Sequence, residues 1–308
     1  MFLKGRKGKN NFWRFLVTLF IVMIASQIIG AIPLMVALNQ SGGLESSSMD
    51  MTEMFANSGL SKNTLLVLMM FPFLVGYAAL VWTIKLLHGR TFTDTTTGAA
   101  SFRWSRFFQG FALWVVLSLI LVGFSAILMP GSFEWNFQPM PFVILLVISL
   151  LFIPFQTGFE EILFRGYLLQ GFELLTKNKW AAVILTGLGF SLLHIFNPEV
   201  AEFGMGIAMA QYMTFGLLFG AITVLDNGLE LAWGTHAANN IFLALFITHD
   251  ASALQTPAMF RATEINPTMD FISLAVAGVI FLGVCWKLFG WSLTDEEVLI
   301  ADLGEGEL

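Results

Sequence analysis

Glu160, Glu161 and Arg165 put three ionisable side chains within six positions of an otherwise apolar run, Gly158-Phe159-Glu160-Glu161-Ile162-Leu163-Phe164-Arg165-Gly166. Each ionisable group in a membrane segment costs about 2.5–3.5 kcal/mol on insertion scales, so each needs a partner or a purpose. Glu161 and Arg165 are spaced i,i+4, which places them on one helix face where they can pair. Glu160 lies about 100° around the helix from Glu161 and has no local cation. The economical assignment makes Glu161–Arg165 structural and leaves Glu160 free for chemistry. The alternative is a single structural network of all three.

Two later apolar segments each carry a histidine, His194 and His236. The turn between the Glu160 segment and the His194 segment centres near Asn178, 18 residues after Glu160 and 16 before His194. In an antiparallel helical hairpin those two side chains come level within about 3 Å. His236 and Asn240 are spaced i,i+4; Asn239, at i+3, also lies near that face, so spacing does not choose between the two amides. His88 and His249 fall at helix ends and are expected to be solvated.

A Glu, two His and an Asn can hydrolyse an amide bond without a serine or cysteine nucleophile. The carboxylate acts as general base on a water held by His194, while His236 and an amide donate to the oxyanion. The bland alternative is ordinary interhelical hydrogen bonding. Glu160, His194 and His236 could instead ligate zinc, whose bound water would attack. The HExxH helix common among metalloproteases is absent.

The elements that must position these residues are membrane helices. The chain has 308 residues, 56% hydrophobic and 12% charged, with a mean hydropathy of +0.77; soluble domains carry about 25% charge. No short alternating segments suggest a transmembrane barrel, and no basic patch suggests nucleic acid. The lone Cys285 excludes an intrachain disulfide. The expected class is all-α, a polytopic protein of eight transmembrane helices with both termini cytoplasmic. The spans fall at about 13–38, 64–86, 107–129, 141–172, 180–197, 205–225, 229–248 and 270–289. The first apolar run is too long for a signal-peptide core and is read as an uncleaved span.

Basic residues set the orientation. Lys4, Arg6, Lys7, Lys9, Arg14, Lys85, Arg90, Arg103, Arg106, Lys177, Lys179 and Lys287 sort to the cytoplasmic side, against Lys62 and Arg261 outside, twelve to two. Trp13, Trp82, Trp104, Trp180, Trp233, Trp286 and Trp291 fall near the same ends, where interfacial rings are favoured. The domain reading is a basic cytoplasmic N-terminus over 1–12, a transmembrane domain over 13–293 with its core at about 100–250, and an acidic cytoplasmic tail over 294–308. The outer loop 39–63, rich in Ser, Gly and acid, is expected to be flexible. Gly216-xxx-Gly220 suggests a close helix contact.

Glu160-Glu161-xxx-Arg165, Phe190-xxx-His194 and His236-xxx-Asn240 resemble, in order, helix placement and spacing, the three signature motifs of the CPBP intramembrane proteases. This is the CAAX-protease and bacteriocin-processing (ABI) family, whose best-known branch is the type II CAAX prenyl endopeptidase. The resemblance covers roughly residues 100–250, including a Phe102-Arg103-Trp104 entry to the third span. It implies an eight-helix membrane core. It also implies that Glu160 is the base, that His194 helps to activate water, that His236 and Asn240 form the oxyanion site, and that Glu161 and Arg165 support them. It thereby selects Asn240 over Asn239.

The expected function is an intramembrane endopeptidase acting on a membrane-associated protein or peptide from within a lipid bilayer, a bacterial cell membrane. The expected mechanism is glutamic with no cofactor, zinc being the alternative. Two other classes compete: a non-enzymatic membrane partner or immunity-type protein, and a proton-coupled transporter. No internal repeat supports the transporter.

Overall fold

The computed structural model describes residues 2–3, 7–45 and 51–292. Lys4, Arg6 and the acidic tail 294–308 lie outside the described residues. Among the described residues the main helices are α1 (Phe12–Gln40), α2 (Lys62–His88), α3 (Trp104–Leu128), α4 (Pro139–Thr176), α5 (Lys179–Leu193), α6 (Met205–Leu225), α7 (Glu230–Phe246) and α8 (Pro267–Phe289). Six are long and apolar enough to cross a membrane. With that composition the chain is an integral, multi-pass membrane protein.

The two exceptions are the helices that carry the candidate histidines. α5 has 15 residues and α7 has 17. At helical rise they reach about 22 and 25 Å, short of a hydrocarbon core of about 30 Å. α5 stops at Leu193, and the expected span 180–197 gives way to a turn at His194–Asn197 and a short helix, Pro198–Phe203. α7 is buried from Glu230 to Ala238. It is wrapped by its neighbours and contributes little lipid-facing surface, which is why polar residues are tolerated along it.

At one end the starts of α3 and α7 come together. There Arg103 donates from Nε and Nη2 to the two carboxylate oxygens of Glu230 at 2.9 and 2.6 Å, and Arg103 and Arg106 pair with Asp226 at 3.0 and 3.4 Å. This knot ties the start of α3 to the start of α7. The opposite end carries a small sheet of order β1-β3-β2, in which β1 (Phe133–Trp135) runs antiparallel to β3 (Phe260–Ala262) and β2 (Ile247–Thr248) runs parallel to it.

Several expectations change on folding. His88 is fully buried, its Nδ1 2.8 Å from the Lys9 carbonyl and its Nε2 2.8 Å from the Tyr167 hydroxyl. It fastens the N-terminal segment to α2 and α4. His249 is half-buried against Phe203. Trp233 and Trp291 leave the interface for the interior, because each indole finds an acceptor there: the Pro154 carbonyl at 2.9 Å and Asp226 at 3.0 Å. Part of loop 39–63 is ordered as the helix Met51–Ser58. Gly216 does mark a close contact: a Cβ there would fall 2.7 Å from the Gly187 Cα of α5.

The approach of α7 to its neighbours depends on two other glycines. A Cβ on Gly158 would collide with the Trp233 ring, and one on Gly234 with the Phe107 carbonyl of α3. Backbone cannot swing aside as a side chain can. Gly234→Ala is therefore expected to lower stability by about 1–3 kcal/mol, as overpacking does. Gly283→Ala on α8, where a Cβ meets nothing within 4 Å, is expected to be neutral or slightly stabilising. Thermal unfolding of both variants in detergent checks the contrast.

Candidate active site

α4 delivers the two glutamates at the end of its regular part, and a wider π turn, Ile162–Leu168, follows at once. Such turns gather at functional sites because they re-aim side chains without ending the helix. Trp233 lies over Gly158, and this close approach lets the next turn of α7 bring His236 between the carboxylates. His236 Nδ1 is 2.8 Å from Glu161 Oε1, and its Nε2 is 3.5 Å from Glu160 Oε2. The imidazole is 5% exposed and stacks on Phe219 with centroids 4.8 Å apart.

Arg165 donates from Nη1 to that same Glu161 Oε1 at 2.9 Å and from Nη2 to the Gly216 carbonyl at 3.2 Å. Its guanidinium lies over the rings of Phe190 and Phe219, 4.6 and 5.3 Å from their centroids. The expected i,i+4 pair is thus present, but it has a second task. A carboxylate bridged to Arg165 only accepts, so His236 must carry a proton on Nδ1. Nε2 is then the nitrogen that can hold or release a proton, and it faces Glu160.

Asn240 Nδ2 donates to Gln156 Oε1 at 3.0 Å and lies 3.4 Å from His236 Nε2. Gln156 Nε2 donates to Glu160 Oε1 at 2.7 Å. Asn239 is turned away, accepting from the Trp114 indole at 3.2 Å and donating to Asn240 Oδ1 at 3.1 Å. Asn240 is therefore the amide that faces His236.

His194 sits where α5 ends. Its Nδ1 is 2.7 Å from the Phe190 carbonyl, so Nδ1 carries the proton and Nε2 is the other ring nitrogen, turned away from that bond. Its ring stacks on Tyr212 at 4.2 Å between centroids. Phe190 connects it to the rest, lying 4.6 Å from the His194 ring and 6.0 Å from the His236 ring. Glu160 meets Gln156 and His236 in direct polar contact, while His194 joins through aromatic packing. Behind His194, the Tyr212 hydroxyl accepts from Asn197 at 2.8 Å and donates to Glu199 at 3.4 Å. Burial pushes the Glu199 carboxyl up, and the Ala253 N–H, 2.7 Å away, opposes this.

Sequence reasoning missed Gln156, Tyr212 and the Phe190–Phe219 clamp. Only Gln156 left a usable signal, a polar residue in an apolar run one helical turn before Glu160. Glu160 and His236 face one another, and among the described residues no group of three or more His, Cys, Asp or Glu is arranged to hold a metal ion. A cavity of about 700 Å³ lies far from this chemistry, between the sheet-end termini of α2 and α4, lined by Asn63, Val67, Asn136 and Ile144 among others.

Residues 138–242, which hold every residue of this cluster except Trp114 and Ala253, match the family model described as type II CAAX prenyl endopeptidase Rce1-like. Along most of its length the chain is also similar to the uncharacterized protein YyaK of Bacillus subtilis (strain 168). That relative is 29% identical over 286 residues, covering 92% of this chain and 94% of the relative.

Glu161 and Arg165 are both fully buried, and Glu161 Oε2 and Arg165 Nε have no partner among the described residues. Removing one charge strands the other, which typically costs about 3–5 kcal/mol. Glu161→Gln should therefore lower the unfolding temperature sharply in detergent. The double variant Glu161→Gln/Arg165→Met should be less destabilised than the single one, because no charge is left unpaired.

Proposed function

We propose that this chain, which carries an Rce1-like domain, is an intramembrane endopeptidase that hydrolyses a peptide bond of a membrane-associated protein or peptide. The observation that carries the reading is the convergence of Glu160, His236 and Asn240 within hydrogen-bonding reach in a nearly dry interior. Glu160 removes a proton from a water that His194 Nε2 helps to hold. The resulting hydroxide attacks the scissile carbonyl. Negative charge then grows on the carbonyl oxygen, where His236 Nε2–H and an Asn240 N–H donate to it.

Glu161 makes that donation feasible. With Nδ1–H committed to Glu161, His236 donates from Nε2 only as an imidazolium, and the adjacent carboxylate stabilises that cation. Preorganised donors of this kind act strongly because little water screens them. Glu160 finally passes its proton to the departing amine. A metal-free, glutamic mechanism suits a site whose direct polar partners for Glu160 are an amide and one imidazole. The positive-inside bias favours the basic end, with both termini, facing the cytoplasm of a bacterial cell, and eight traversals would follow if the short α5 and α7 count as spans.

Two outcomes test this. Purified protein incubated with membrane-protein or lipopeptide libraries should generate new termini, read by mass spectrometry. Glu160→Gln, which keeps the shape and removes the base, should reduce their formation by at least about 100-fold while unfolding at nearly the wild-type temperature. Full activity in that variant would sink the assignment. Separately, cleavage should survive chelation and dialysis, with elemental analysis confirming removal of metal. Stoichiometric zinc, with activity lost on its removal and restored on its return, would overturn the metal-free mechanism.

A further inference from the structure

We infer that Gln156 is a positioning residue that decides which oxygen of Glu160 serves as the base; this rests on the endopeptidase reading above. The argument begins at Trp114 on α3, whose indole N–H can only donate. It donates to Asn239 Oδ1 at 3.2 Å, which fixes that amide's orientation. Asn239 Nδ2 must then donate to Asn240 Oδ1, at 3.1 Å. Asn240 Nδ2 must in turn donate to Gln156 Oε1, at 3.0 Å. Gln156 is left with Nε2 toward Glu160 Oε1, at 2.7 Å. Four donations run one way, from α3 through α7 to α4, and none can reverse while the indole stays in place.

The chain ends on one carboxylate oxygen. Glu160 Oε1 accepts from Gln156, which uses one of its lone pairs and makes it the less basic oxygen. A proton on Glu160 is thereby favoured on Oε2, the oxygen 3.5 Å from His236 Nε2. The base therefore has a defined working lobe, turned toward the imidazole and the reacting water. The same chain uses one N–H of Asn240 on Gln156 and leaves the other for the substrate oxygen. Gln156 is 6% exposed and Glu160 8%, so water competes poorly for these bonds. Without Gln156, Glu160 is free to exchange its oxygens by rotation, and Asn240 loses the acceptor that aims it. A buried amide that merely links two helices would predict neither consequence.

The test uses the full-length protein in phospholipid nanodiscs and two near-isosteric variants. Gln156→Met keeps reach and volume but cannot hydrogen bond. Gln156→Glu keeps the shape and replaces the donor with an oxygen. On a peptide taken from the library cleavage products, Gln156→Met should lose about 10- to 100-fold in kcat, the scale of a misplaced catalytic group, with KM changed less than about twofold. Gln156→Glu should lose at least as much at neutral pH. Independently of turnover, infrared spectra with and without Glu160→Gln isolate the Glu160 carboxyl band, and that band should shift in the Gln156→Met background. An unchanged kcat, a loss confined to KM and unfolding temperature, or an unshifted band would each overturn the role of Gln156. If Glu160→Gln is inactive at the same time, the endopeptidase reading stands. If Glu160→Gln is active, that reading falls first. Should no library member be cleaved, the infrared shift alone decides whether Gln156 holds Glu160.

Discussion

The site depends on one oxygen atom. Glu161 Oε1 accepts from both the Arg165 guanidinium and His236 Nδ1. A buried ion pair is weak evidence for stability, since desolvating two charges offsets much of their attraction. This pair even leaves a carboxylate oxygen and a guanidinium nitrogen without partners among the described residues. What the pair achieves is chemical definition. It gives the His236 imidazole an acceptor for Nδ1–H, fixes the tautomer, and turns the other ring nitrogen toward Glu160. The Phe190 and Phe219 rings offer the guanidinium π surface at 4.6 and 5.3 Å, which suits a planar, weakly hydrated cation better than an ammonium.

Helix length explains how such polar groups reside in a membrane protein. The six long helices present apolar side chains outward, as on α3, where Val116, Ile120, Phe124 and Ile127 are all exposed. α5 and α7 are shorter and carry the histidines. Where α5 stops, the irregular segment His194–Asn197 begins. Irregular backbone at membrane depth survives only where protein or a cavity surrounds it. The segment His194–Asn197 is anchored on one side, where Asn197 donates to the Tyr212 hydroxyl and Glu199 accepts from Tyr212 and the Ala253 amide, while Phe196 is left exposed.

Legibility in the sequence followed distance along the chain. Glu161–Arg165 was readable because an i,i+4 pair is local, and the Asn178 turn because its cap is local; Asn178 accepts from the Trp180 and Ala181 amides. The apolar runs gave the helices, though not the shortness of α5, since Ile195 and Phe196 continue the hydrophobic pattern beyond the last helical turn. Asn239 and Asn240 could not be separated by spacing. Their difference is tertiary, set by an indole 125 residues away. His88 was misjudged for the same reason: its acceptor and its hydroxyl partner come from residues 79 positions away on either side.

Two adjacent glutamates acquire different characters from these surroundings. Glu161 has a formal cation against it and is removed from solvent. Glu160 has an amide donor on one oxygen and an imidazole nitrogen near the other. Its side chain keeps an 11% opening where that of Glu161 has none. An amide can neither give nor take a proton, so it stabilises Glu160 without engaging its chemistry. A helical step of 100° places one carboxylate against a permanent charge and its neighbour between an amide and an imidazole nitrogen, and the second is the environment that the proposed general-base role requires.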